Sequence, residues 1–255
     1  MAVFILGMIA MCQLAALVKF WPYDMTLTTR NFAFDLMDGG GWAAYSNSIK
    51  LALLTALFGS LVVFAGAYMV EKADGFRTGR SIFHFLAMMP MAVPGMVLGL
   101  AYIFFFNNPA NPLHSIYGTM TILVVCTVTH FYTVAHLTAL TALKQMDPEF
   151  ESVAASLKQP FHRLFFRVTV PVCLPAILNI AIYLFVNAMT TVSAVVFLYS
   201  TETKLASVAV LNMDDAGDIA PAAAMGMMIF YTNVAAKLIH ALIARGLLAR
   251  TQAWR

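Results

Sequence analysis

From Ser81 to Leu143 the chain reads SIFHFLAMMPMAVPGMVLGLAYIFFFNNPANPLHSIYGTMTILVVCTVTHFYTVAHLTALTAL, 63 residues without one Asp, Glu, Lys or Arg. A membrane-crossing helix needs about 20 mostly apolar residues, so this block holds more than one span. Asn107-Asn108-Pro109-Ala110-Asn111-Pro112 divides it, because turn residues of this kind leave backbone groups that lipid cannot satisfy. Charge-free stretches also cover 1–18, 51–70, 168–201 and 219–236. Together they predict an all-α polytopic membrane protein, one domain over 1–255, with six spans near 2–21, 46–70, 81–106, 115–143, 172–199 and 221–247.

Composition agrees with this reading. Of 255 residues 61% are hydrophobic and 11% charged, against about a quarter charged in soluble domains. Cys12, Cys126 and Cys173 stand far apart and read as packing residues, with no metal-type spacing among them. A net charge of +3 is too small to point to nucleic acid.

Lys and Arg in short loops resist translocation and so set orientation. Ten fall on one side: Lys72, Arg77, Arg80, Lys144, Lys158, Arg163, Arg167, Arg245, Arg250 and Arg255. Four fall on the other, Lys19, Arg30, Lys50 and Lys204, with Lys237 left inside the last span. Both termini are therefore expected in the cytoplasm. Met1 opens directly into an apolar segment with no basic flank, which fits a truncated chain, the second half of a longer membrane protein, or a natural short start.

The connection 144–171 is long and patterned. Asp147-Pro148 reads as a helix cap followed by proline at the first helical position, with Glu149 and Glu151 in the first turn. Phe150, Val153, Ala154 and Leu157 share one face, and Gln159-Pro160 ends that helix and starts a second in which Phe161, Leu164, Phe165 and Val168 share another. Two amphipathic helices at the cytoplasmic surface fit either a rigid knob that meets another protein or an interfacial pair lying on lipid headgroups.

Glu149 to Lys158, followed by Val168-Thr169-Val170-Pro171, resembles the EAA loop of the permease subunits of binding-protein-dependent ABC importers. That pattern is Glu-Ala-Ala, three residues, Gly, nine residues, then Ile-x-Leu-Pro. Ser152, Val153 and Ala154 fall on the first triplet, Lys158 on the glycine, and the tetrapeptide ends on Pro171. Ser152 replaces the glutamate, with Glu151 beside it as a substitute, and Lys158 replaces the glycine, which leaves the bend between the helices to Gln159-Pro160. Six spans and the Asn47-Ser48 opening of the second extend the resemblance. It implies the type I importer permease fold, a second permease unit, ATPase subunits that hold ATP and Mg, a periplasmic or lipid-tethered solute-binding protein, and no cofactor on this chain. The coupling residues it implies are Glu149, Glu151, Ser152, Ala154, Ala155, Leu157, Lys158, Phe161, Arg163 and Pro171. In detail the chain is most similar to permeases for 2-aminoethylphosphonate, through 151–160, 168–175 and the ending Thr251-Gln252-Ala253-Trp254-Arg255; in that group two permease units can be fused. A ferric-iron or polyamine permease is the alternative.

Within the spans, Asn179, Asn187, Thr190, Thr191 and Ser193 are grouped in the predicted fifth helix, either lining a pathway or bonding between helices. Gly95 and Gly99, beside Pro90 and Pro94, predict close packing and a kink. Lys237 fits snorkelling or a counter-charge. Residues 22–45 and 200–220 offer a docking surface for a binding protein or a solvated rim. No phosphate-binding loop is present, consistent with a non-catalytic subunit. The competing class, an intramembrane enzyme, would draw on Cys126, His130 and His136, but His136 lies six residues from His130 and no intramembrane carboxylate is available as a base.

Overall fold

The structure, a computed structural model, describes residues 1–37, 40–72, 75–147 and 149–251; the side chains of Glu151, Ala155, Phe161 and 247–251 lie outside the described part. In chain order the helix α1 (Ala2–Leu17) leads into a short antiparallel hairpin, β1 (Val18–Phe20) with β2 (Asp24–Leu27), and then into α2 (Gly41–Lys72). There follow α3 (Arg77–Met88), α4 (Gly95–Phe106), α5 (Met120–His130), α6 (Tyr132–Lys144), α7 (Glu149–Ser156), α8 (Phe161–Leu164), a π-helical turn over Phe165–Thr169, α9 (Val170–Val172), α10 (Leu174–Thr190), α11 (Ala206–Asp215) and α12 (Ile219–Thr251).

Among the described residues two helices, Gly41–Lys72 and Ile219–Gly246, are long and apolar enough to cross a bilayer unbroken, and the number rises to five if each of three bent pairs is one span. The predicted third span is such a pair: 77–92 meets α4 at 113°. Pro90 and Pro94 explain this break, since neither ring has an N–H for the helical ladder and Val93, ahead of Pro94, takes an extended conformation. The predicted fourth span bends by 59° at Phe131, between α5 and α6. No proline lies there. Thr127 and Thr129 return their hydroxyls to the carbonyls of Leu123 and Val125 at 2.7 and 2.8 Å, a back-bonding that bends helices.

The predicted fifth span also departs from a single helix. Its start is angled by 72° at Cys173, where Pro171 and Pro175 interrupt the ladder, and its helix ends at Thr190, nine residues before the expected boundary. The predicted first span is helical only over 16 residues, shorter than a bilayer needs.

The core is threaded by α2. Val63, Phe64, Ala67 and Tyr68 pack with Ala135, Ala139 and Leu143 of α6 and with Ile180 and Leu184 of α10. Leu51 joins Ile122, Leu123 and Cys126 of α5 against Ala194, Val195 and Leu198. At the far end Ala44 and Ala52 pack with Ala188 and Met189 of α10 and with α11 and α12. Small residues let these helices approach: a Cβ on Gly59 would stand 2.8 Å from Leu184 Cδ1 and 3.0 Å from Val128 Cγ2. Asn47 donates to the carbonyls of Glu202 and Lys204 at 2.8 and 3.2 Å, and Ser48 Oγ accepts from the amide of Ala206 at 2.8 Å, tying the opening of α2 to the segment before α11.

Candidate functional site

The α7 helix begins where the sequence places it. Asp147 Oδ1 accepts from the amide of Glu149 at 2.9 Å, a capping bond; Pro148 lies outside the described residues. Ser152 and Ser156 bond back to the carbonyls of Glu149 and Ser152, both at 2.9 Å. The bend after α7 differs from expectation. Lys158 itself adopts the left-handed conformation, φ +50°, and the amide of Gln159 reaches the carbonyl of Ala154 at 3.0 Å, the six-to-one bond of a helix ending on a left-handed residue. The turn therefore uses the glycine position of the resembled pattern, occupied here by lysine, and Pro160 starts the next helix. Gln159 Oε1 then accepts from Arg163 at 3.4 Å across the elbow.

Between the two arms lies an open cleft of about 440 Å³. Phe150, Val153, Ala154 and Leu157 floor one wall, Leu164 and Val168 the other, and Asp147, Glu149, Arg163 and Arg167 stand around it. Phe150, Val153 and Leu157 are 43%, 55% and 65% exposed, so the first apolar face, legible in the sequence, is left uncovered by the described residues. The second arm is anchored. Phe165 meets Tyr68 edge-on at 4.8 Å between ring centroids and Phe64 at 6.0 Å, which fastens the elbow to α2. Cys173 Sγ lies 3.4 Å from Met146 Sδ, joining the end of α6 to the start of α10, while Pro171 is exposed on the bend. Sequence reading identified the elbow but not the Phe165 anchor, whose ring partners are about a hundred residues away along the chain.

The pathway candidates divide. Asn179, Asn187 and Thr190 lie on α10 at spacings that form one stripe with Tyr183. Asn187 donates to the carbonyl of Tyr183 at 2.8 Å, and Thr190 Oγ1 to Val186 at 3.1 Å. Thr191 and Ser193 are not helical, contrary to expectation. Thr191 is buried and its carbonyl accepts from Ser207 at 2.6 Å, while Ser193 is exposed in the turn that follows. That non-helical backbone is held against α4 and α5. A Cβ on Gly99 would lie 2.7 Å from the carbonyl oxygen of Ala194, one on Gly95 would meet Ser193 Oγ, and Cys126 donates to the Ala194 carbonyl at 3.5 Å. The glycine pair thus serves close packing, as its spacing suggests.

His130 and His136 do not come together. His136 is buried with its Nε2 3.5 Å from Nδ1 of His84, whereas His130 lies beside Phe131 and Gly95. Among the described residues no three His, Cys, Asp or Glu side chains are placed to hold a metal ion.

Residues 62–248 match the family model described as binding-protein-dependent transport system inner membrane component. The chain is 34% identical over 222 residues to the ferric transport system permease protein FbpB of Actinobacillus pleuropneumoniae, covering 84% of this chain and 31% of that one. To the putative ferric transport system permease protein FbpB 1 of Haemophilus influenzae it is 35% identical, over 72% of this chain and 29% of that one. This chain therefore spans about a third of the length of these ferric relatives. The putative 2-aminoethylphosphonate transport system permease protein PhnV of Salmonella typhimurium is 25% identical, over 79% of this chain and 74% of that one. In fold, the chain is similar to a solved bacterial ABC transporter involved in the import of alginate, with a TM-score of 0.76 at 15% identity over 92% of this chain and 88% of that one. The chain belongs to the family of binding-protein-dependent transport system inner membrane components and has the type I ABC importer permease fold.

Proposed function

We propose that the chain is a permease unit of an ATP-driven importer of ferric iron, a non-catalytic subunit that forms part of the translocation path and receives mechanical work from a partner ATPase carrying ATP and Mg. The observation that carries the mechanism is the uncovered cleft of the elbow. An apolar floor with Phe150, Val153 and Leu157 exposed, ringed by Glu149, Arg163 and Arg167, suits a protein partner with an apolar ridge and charged flanks. Lys158 fixes the angle of the two arms, and the Phe165 contact with Tyr68 and Phe64 passes displacement of the elbow into α2. Glu149, Ser152, Ala154, Leu157 and Arg163 supply the surface, and Pro171 the bend at the root of α10. The Asn179, Asn187 and Thr190 stripe faces the pathway shared with a second permease unit, and a solute-binding protein delivers cargo on the side opposite the elbow. The elbow is then cytoplasmic, in a bacterial inner membrane.

Ferric iron is favoured over 2-aminoethylphosphonate because relatives named for ferric transport share 34% and 35% of residues, against 25% for the phosphonate relative. The phosphonate reading keeps one support, that this chain covers 74% of that relative's length. Reconstitution in proteoliposomes with the partner ATPase and binding protein separates the two: radiolabelled ferric iron should accumulate with ATP, and 2-aminoethylphosphonate should not. Phosphonate accumulation alone would reverse the assignment of cargo. An ATPase that neither binds the permease nor responds to loaded binding protein would overturn the coupling role.

A further inference from the structure

At the elbow end of the helix bundle, beside the junction of α2 and α3, two cavities share a wall. The first, about 370 Å³, is lined by Glu71, Arg77, Arg80, Ser81, His84 and Lys144, with Val70 and Leu140 behind them. The second, about 330 Å³, is apolar and is lined by Met69, Val70, Gly75, Phe76, Gly79, Arg80 and Phe83. Val70 and Arg80 belong to both.

Among the described residues three cationic side chains from α3 and α6 thus converge with one carboxylate. Arg80 is fixed as the dividing wall: its Nε donates to the carbonyl of Val70 at 2.6 Å and its Nη2 to that of Glu71 at 3.2 Å, closing the C-terminal end of α2. Arg77, Lys144 and the Ser81 hydroxyl are exposed at the mouth, and His84 is half-buried between that mouth and His136. A multiply bonded oxyanion suits such a set, an Arg fork, an ammonium and a hydroxyl reaching it from different directions. The neighbouring groove suits an aliphatic chain. Phe76 stands in the left-handed conformation, φ +44°, with its ring over Gly79, where a Cβ would collide with it, and Phe83 and Met69 continue the apolar wall.

We propose that the paired cavities form a binding site for an anionic phospholipid, its phosphodiester headgroup held by Arg77, Ser81 and Lys144 and one acyl chain laid in the Phe76–Phe83 groove. Charge complementarity selects the headgroup, and the adjoining apolar groove distinguishes a lipid from a free anion. The site packs on α2 and α6, the two helices between which the elbow is anchored, so an occupied site stiffens the frame against which the elbow moves.

The test is native mass spectrometry of the full chain, delipidated in detergent and titrated separately with dioleoylphosphatidylglycerol, dioleoylphosphatidylcholine and inorganic phosphate. The wild type should hold one phosphatidylglycerol about tenfold more tightly than phosphatidylcholine. Removing charges should weaken phosphatidylglycerol by about fivefold each, so Arg77→Gln with Lys144→Gln loses the preference. Lys50→Gln, near the other end of α2, should leave it intact. Gly79→Leu should weaken both lipids together, by filling the groove. If the double variant fails to fold, Lys144→Gln alone still predicts about a fivefold loss. Equal phosphatidylglycerol binding in the wild type and the folded charge variants would overturn the proposal. So would inorganic phosphate binding lost with Arg77 and Lys144 while neither lipid binds, which would make this a free-anion pocket.

Discussion

The amide of Gln159 donates to the carbonyl of Ala154 at 3.0 Å, and the bond closes because Lys158 between them turns left-handed. A lysine in that conformation carries a steric cost of about 1–2 kcal/mol that glycine does not. Lys158→Gly should therefore stabilise the elbow by about 1 kcal/mol, read as slower hydrogen exchange at the Gln159 amide. Lys158→Ile should accelerate that exchange, because branching at Cβ worsens the same clash. Unchanged exchange in both variants would contradict the left-handed turn.

Gly99 approaches backbone, not a flexible side chain. With 2.7 Å between its would-be Cβ and the Ala194 carbonyl oxygen, Gly99→Ala must push α4 off the 193–194 turn, and the expected loss is about 1–3 kcal/mol in unfolding free energy. Gly226 has nothing within 4 Å of its would-be Cβ, so Gly226→Ala should be neutral or stabilising by up to about 1 kcal/mol. Thermal unfolding of the two variants in one detergent gives the comparison.

Ser48 and Asn47 hold the 202–206 segment through its backbone. Ser48→Ala leaves the buried amide of Ala206 without an acceptor, at about 1–3 kcal/mol. Asn47→Leu removes both bonds to the Glu202 and Lys204 carbonyls, and should raise protease sensitivity between α10 and α11 while cleavage at the elbow is unchanged. Limited proteolysis followed by mass mapping distinguishes this local loosening from general unfolding.

In the hairpin, hydrogen bonds from the Thr26 hydroxyl and amide to Asp24, at 2.6 and 3.1 Å, hold its carboxyl below the ordinary value of 3.8, with Lys19 at 3.4 Å adding to them. The folded pKa is depressed, so the contribution to hairpin stability is complete above the unfolded value and is lost as pH falls through the folded one. The Asp24 carboxyl resonance should titrate below 3.8 in the wild type and move up toward it in Thr26→Val. Identical titration in the two would show that the Thr26 hydroxyl plays no part.

Some of this architecture needs nothing beyond the chain itself. A stretch of 63 residues without charge cannot be solvated as a soluble domain, and the amphipathic spacing of 149–168 follows from helical periodicity alone; both depend only on local chemistry. The capping role of Asp147 and the kink at Pro90 and Pro94 are of the same kind, because a cap or a missing N–H acts within one turn. Tertiary structure decided the rest. The break at Phe131 has no proline to announce it, the helix at Thr190 ends where its continuation is received by Gly95, Gly99 and Cys126, and the turn at Lys158 depends on a backbone angle that its side chain disfavours. The Phe165 anchor on Tyr68 and the meeting of His84 with His136 join residues far apart in the chain. Periodicity tells which face of a helix is apolar, but which neighbour covers that face, or leaves it open as at Phe150 and Leu157, depends on how all the helices pack at once.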